Sequence, residues 1–253
     1  MNGFEKHGLD HTSASQINMY ADAPCAWAAK YLFNGAFVFG SAARAGILVE
    51  DAVVNVVTGS DAEKETEVAI AKYNKACGIM ATKAEVNRGE AIKGMIEGAL
   101  EELKPYGEPE FDGDLIKGRK QKSIKINCKG DGWELPVIGY LDFHFPKEGL
   151  IVDLKTTMRM PSVMSAEHLR QGSIYKGASG NQAVKFLYVT GKKTKWFDIE
   201  DEKPVLAEIK SILNRQEKML RLEKDVIKEI MPVNASSYYW TDSEILRQDL
   251  YGI

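Results

Sequence analysis

The sequence predicts an α/β fold: a mixed central β-sheet flanked by helices, with an N-terminal helical layer, in one domain spanning 1–253. Three observations predict it. Apolar residues recur at helical spacing through most of 1–110. Short runs rich in aliphatic and aromatic residues then dominate 111–200, broken by one helical segment. A charged helix and an aromatic tail close the chain over 201–253. Helices before, between and after strands call for layers packed on a sheet.

The elements follow in order. Ser13 opens a helix with Ile17, Tyr20, Trp27, Tyr31 and Leu32 as apolar positions, and Pro24 divides or kinks it. A second helix runs from Ser41 to Val57 and stops before Gly59. Asp61 to Cys77 and Lys83 to Leu103 read as two more amphipathic helices, the first capped by Ser60 or Asp61. Pro105 to Gly118, rich in Pro, Gly and acids, is a connector. Strands are predicted over Lys122 to Cys128, Trp133 to Phe145 and Gly149 to Thr156, the last two joined by the turn Pro146–Gly149. A helix from Ser165 to Gly177 precedes strands Ala183 to Thr190 and Thr194 to Ile199, with Gly191-Lys192-Lys193 as the turn between them. One long helix, Pro204 to Ile230, follows, and the tail from Ser236 to Tyr251 is aromatic enough to dock on the body.

Composition limits the function. Hydrophobic content of 44% with 27% charged residues is that of an ordinary globular protein. No apolar run has transmembrane length, and the first eleven residues lack the basic and apolar regions of a signal peptide. Cys25, Cys77 and Cys128 are odd in number and far apart, which fits reduced thiols in a cytoplasm and offers no CxxC metal pair. They read as small core residues. A net charge of −3 argues against a protein that coats nucleic acid unspecifically. Two local basic clusters stand out, Lys117, Arg119, Lys120, Lys122 and Lys125, then Lys192, Lys193 and Lys195. They are either phosphate-contacting strips or solvated loop charge.

The chemistry concentrates in the hairpin. Asp142 ends one arm, and Asp153 and Lys155 share a parity on the other, so a strand points both to one face. Ionised groups beside Ile151, Val152 and Leu154 are costly unless they pair or bind a metal. Paired acids with an adjacent ammonium are what phosphodiester hydrolysis requires. Of the histidines, only His144, two residues from Asp142, is placed to line such a site; His7, His11 and His168 look incidental.

Asp142 followed by Asp153-Leu154-Lys155 resembles the core motif of the PD-(D/E)XK nuclease superfamily. Gln171-Gly-Ser-Ile-Tyr175 is similar to the QxxxY pattern of its RecB-like exonuclease branch, with both polar groups on one helical face. Gly46-Ile-Leu-Val-Glu50 is similar to that branch's glycine-to-ligand spacing; starting instead from Gly40 would put Arg44, a poor ligand, at the position. The matches span most of 13–190 in order, and the C-terminal fifth gains nothing from them.

The resemblance implies a restriction-endonuclease-like core and a metal-dependent DNA nuclease, an exonuclease of recombination, repair or phage DNA metabolism. It implies one or two Mg²⁺ or Mn²⁺ ions held by Glu50, Asp142, Asp153 and the Leu154 carbonyl, with no iron–sulfur cluster. Lys155 would orient the attacking water or stabilise developing phosphorane charge. Gln171 and Tyr175 would position Lys155 or a DNA phosphate, and Arg119, Lys120, Lys122, Lys192 and Lys193 would contact DNA. The partners implied are DNA and, for a subunit lacking its own motor, a helicase or annealing protein; no membrane is involved. The rival expectation is a catalytically inert DNA- or partner-binding module on the same fold.

Overall fold

The computed structural model describes residues 2–113, 115, 119–126, 135–180 and 182–253. Helix α1 (Gly3–Lys6) is followed by α2 (Ala14–Asp22), which Ser13 caps by accepting a hydrogen bond from the Gln16 amide. Pro24 starts α3 (Pro24–Trp27), which widens into a π-helical turn over Ala28–Leu32. The helices α4 (Ser41–Val57), α5 (Ala62–Cys77) and α6 (Lys83–Leu103) coincide with the predicted segments. Asp61 caps α5, and Thr82 with Glu85 forms a capping box on α6.

Strands β1 (Lys122–Ile126) and β2 (Val137–Leu141) pair antiparallel as a two-stranded sheet. Strands β3 (Phe143–Phe145), β4 (Leu150–Thr156), β5 (Ala183–Val189) and β6 (Thr194–Asp198) form a mixed four-stranded sheet in that order. β4 and β5 run parallel, joined by α7 (Ala166–Ser179), while the β3–β4 and β5–β6 pairs are antiparallel. The turn after β3 closes on Gly149 at φ 58°, a left-handed position that suits glycine. The chain ends with α8 (Lys203–Leu220), α9 (Lys224–Ile230) and α10 (Glu244–Tyr251).

Each face of the four-stranded sheet carries its own core. Leu150, Val152 and Leu154 of β4 face α4 and α6 through Val49, Val53, Ile92 and Ile96. Ile151 of β4, with Val184, Phe186 and Tyr188 of β5, faces the other way onto a core containing Ile17, Trp27, Ile174, Ile209 and Leu213. Burial on both sides explains why β4 and β5 read as nearly continuous apolar runs. Asp153 and Lys155 therefore project on the α7 side.

Three expectations need correction. The arm predicted as one strand through Phe145 breaks at Asp142, and its far end pairs with β1 rather than β4. The predicted single helix over Pro204 to Ile230 breaks after Leu220, because the Lys6 ammonium binds both the Arg221 carbonyl and the Glu223 carboxylate. The third concerns His144. The bend at Asp142 ends its shared face with that residue, and its Nε2 lies 2.9 Å from Gln182 Oε1, outside the cleft described below. Cys25 is fully buried and Cys77 half-buried; Cys128, Lys117 and the start of the Trp133 strand lie outside the described residues.

Candidate active site

The bend at Asp142 makes the site. In an antiparallel pair, a residue whose N–H faces the neighbour also turns its C=O there. Leu154 N–H faces the side where β2 has departed, and it donates to Asp142 Oδ2 at 2.9 Å instead of to a strand. The Leu154 carbonyl lies on the same open edge. A carboxylate thus replaces the missing strand bond, and Asp142 stands opposite Asp153, one step beyond the Phe143–Val152 pair.

Asp153 is 1% exposed and meets two cationic or polar groups. Lys155 Nζ is 2.5 Å from its Oδ1, and the Gln171 amide on α7 donates to its Oδ2 at 2.6 Å. The same amide nitrogen donates to the Tyr175 hydroxyl at 2.8 Å, and that hydroxyl donates to the Tyr140 carbonyl at 2.9 Å. Gln171 and Tyr175 thus tie Asp153 to the strand bearing Asp142. They hold the acid, where the sequence had assigned them to Lys155 or to a phosphate.

Glu50 reaches the same place from α4. Its Oε1 accepts from Gln121 Nε2 at 3.0 Å and pairs with Arg119 Nη2 at 2.8 Å, while Arg119 Nε holds Asp51 at 2.6 Å. Gly46, one turn earlier, lies so close to Thr156 that an added Cβ would stand 3.3 Å from its hydroxyl, so the glycine lets α4 approach the end of β4. Arg44 lies outside the cluster, its guanidinium turned to the Phe39 carbonyl.

The electrostatics follow from crowding. Burial pushes the Asp142 carboxyl well above its ordinary range, and the charges of Glu50 and Asp153 push it further. Burial also raises Glu50, against the pull of Arg119, and raises Asp153, against the pull of Lys155. Burial opposes the Lys155 charge, but Asp153, Asp142 and Glu50 outweigh it and hold the ammonium protonated. Three acids share a space that one ammonium and one guanidinium only partly neutralise.

The cleft has a volume of about 770 Å³ and brings together Glu50, Asp142, Asp153, Leu154, Lys155 and Gln171. Its wall adds residues that the sequence left aside. His168 stacks on Phe186 at 5.7 Å and bonds the Tyr188 hydroxyl through Nδ1; burial, then the Lys155 charge, lower its pKa to about 3. Its position three residues before Gln171 on α7 was the available signal.

Arg119, expected among the DNA contacts, lines the cleft and pairs there with Glu50 and Asp51. Lys120, Lys122, Lys192 and Lys193 do not line the cleft. Lys122 pairs with Glu110 at 2.6 Å, Lys120 donates to the Thr58 hydroxyl, and Lys192 and Lys193 are exposed on the β5–β6 turn.

All the oxygen donors here are hard ligands of the kind that suit Mg²⁺ or Mn²⁺, and no soft ligand stands among them. The buried Asp153 Oδ1, beside Lys155, makes no well-directed hydrogen bond. The donor set fits a divalent cation. As they stand, no three His, Cys, Asp or Glu side chains among the described residues are arranged to hold one. Also among the described residues, no helix is long and apolar enough to cross a membrane.

No protein-family model matches the chain, and no curated protein matches it. Among solved structures, the crystal structure of SSO0001 is similar at 17% identity and a TM-score of 0.32, over 69% of this chain and 76% of that one. Likeness at that level leaves the functional argument to the residues themselves.

Proposed function

We propose that this chain is a metal-dependent deoxyribonuclease with a restriction-endonuclease-like core, of the PD-(D/E)XK superfamily and its RecB-like branch. The observation that carries the reading is the convergence of Asp142, Asp153 and Glu50 on one cleft, with Lys155 Nζ 2.5 Å from Asp153 and Gln171 fixing that acid from α7. Isolated strand-end acids are solvated; Asp142 and Asp153 are buried, Glu50 is half-buried beside them, and dedicated donors hold all three. Such expensive clusters mark functional sites.

Glu50, Asp142, Asp153 and the Leu154 carbonyl would hold one or two Mg²⁺ or Mn²⁺ ions. When bound, the cation supplies positive charge to the scissile phosphate and acidity to a water. The chain's own residues do the rest. Lys155, 2.5 Å from Asp153, is a cation placed to hold a phosphate oxygen or orient the attacking water. Gln171 and Tyr175 stop Asp153 from rotating out of place. Exonucleolytic action and a setting in recombination, repair or phage DNA metabolism belong to the same reading, as do a cytoplasmic location and a helicase or annealing partner.

The inert binding module is the second reading, and one observation favours it: Lys155 already pairs with Asp153 and Arg119 with Glu50. Incubating linear, circular and single-stranded DNA with the protein in Mg²⁺ or Mn²⁺ decides between them. Degradation that disappears in Asp153→Asn supports the nuclease; binding without cleavage by either protein supports the module.

A further inference from the structure

A second cavity, about 720 Å³, adjoins the acid cleft and shares Ala42, Ala43 and Tyr238 with it as common wall. Its lining is aromatic and comes from two distant parts of the chain: Tyr31, Phe37 and Phe39 before α4, and Tyr238 and Tyr239 from the C-terminal tail. The rings are braced from behind. Phe37 stacks on buried Trp240 at 5.5 Å, and Tyr251 donates to the Cys25 carbonyl, pinning α10 to the body. Tyr238 packs on Tyr239 at 4.1 Å, and both hydroxyls reach Glu167 Oε1.

Tyr238 is nevertheless 59% exposed and Phe39 66% exposed, so the lining presents aromatic surface to solvent, that of Tyr238 held in place from behind. Two cations, Lys30 and Arg88, line the same cavity; Arg88 is fixed by the Ser41 hydroxyl at 2.8 Å. Exposed ring faces with adjacent cations, beside a cleft lined by acids, match the chemistry of one kind of ligand. A nucleotide offers a flat base for stacking and a phosphate for the cations.

We infer that this cavity is a subsite for unpaired nucleotides of the strand being cut, the base stacking against Tyr238 and Phe39. This rests on the nuclease reading and adds strand selectivity to it. A base inside a duplex has both faces covered by its neighbours and cannot enter a concave pocket. The bound strand must therefore be single-stranded or frayed where it passes the tail. The C-terminal aromatic segment, which the nuclease motifs leave unexplained, becomes one wall of the substrate path.

The test is fluorescence anisotropy of a labelled single-stranded oligonucleotide, and of the matching blunt duplex, with the full chain in EDTA. Tyr238→Ala and Phe39→Ala should each weaken single-strand binding by about tenfold, within the range for loss of one base–aromatic stack, and leave duplex binding within about twofold. Tyr238→Phe keeps the ring and should bind like wild type. Phe39 is a surface residue, so its variant keeps the test valid where Tyr238→Ala loosens the tail. Unchanged single-strand affinity in both alanine variants overturns the subsite, as does an equal loss on duplex, or a loss in Tyr238→Phe as large as in Tyr238→Ala. Cleavage is read separately. Wild type that cuts DNA while the variants bind normally sinks the subsite alone; wild type that binds through Tyr238 and Phe39 but cuts nothing sinks the nuclease alone.

Discussion

The Gln171 amide donates to Asp153 at 2.6 Å, linking a helix and a strand whose side chains lie 18 residues apart in sequence. The same nitrogen also contacts the Tyr175 hydroxyl, so one side chain fixes both the buried acid and the residue that anchors it to Tyr140. Orientation of Asp153 therefore depends on α7, outside the hairpin that carries the acids.

Gln171→Leu should lower cleavage by roughly tenfold to a hundredfold, the range for losing a group that orients a metal ligand. Circular dichroism should stay native. Tyr175→Phe removes two hydrogen bonds centred on its hydroxyl and should cost about 1–2 kcal/mol of stability with a smaller loss of rate. A Gln171→Leu enzyme cutting at the wild-type rate would show that Asp153 needs no such support.

Asp153→Asn should abolish cleavage and weaken binding of Mg²⁺, followed by isothermal titration. Without metal it should unfold no earlier than wild type, because it removes one of three mutually repelling acids. The amide loses its ion pair with Lys155, so a clear drop in Tm would mean that the pair outweighs the repulsion.

The parts of this architecture written in local pattern were legible. α4 and α6 carry helical periodicity, the first stopping before Gly59, and both fall where predicted. What depends on a distant partner was not. The split between α8 and α9 is held by Lys6, from a short helix with no periodicity to announce it. The bend at Asp142 arises because its carboxylate can serve the Leu154 amide, a contact that strand propensity does not encode. At the site, strand parity and the resemblance to the nuclease motifs named Glu50, Asp142, Asp153, Lys155, Gln171 and Tyr175, which the fold gathers together. It missed Arg119 as the partner of Glu50, because a basic run reads the same whether its members face phosphate or a buried acid.

That partnership predicts how metal use should respond to Arg119→Gln. Burial then acts on Glu50 with less opposition, so its carboxyl pKa rises further. A protonated Glu50 is a poor ligand. The Mg²⁺ concentration giving half-maximal cleavage should increase several-fold near neutral pH and return toward wild type as pH is raised. If Arg119 served DNA instead, the salt dependence of DNA binding would flatten and the metal requirement would stay put.

His168 gives the pH signature of the folded site. Its pKa falls from 6.5 to about 3 on folding, through burial and then the Lys155 charge, so the native state binds fewer protons than the unfolded chain. Stability contributed by the neutral ring is complete above the unfolded value and drains away as pH falls through the window between 6.5 and about 3. At about pH 5 the loss attributable to this residue should be about 2 kcal/mol relative to pH 8. His168→Gln should remove that part of the acid sensitivity while retaining a polar group near Tyr188. The measurement is urea unfolding of both proteins without metal across this range. Parallel stability curves for wild type and variant would mean that the ring takes up its proton without disturbing the cleft.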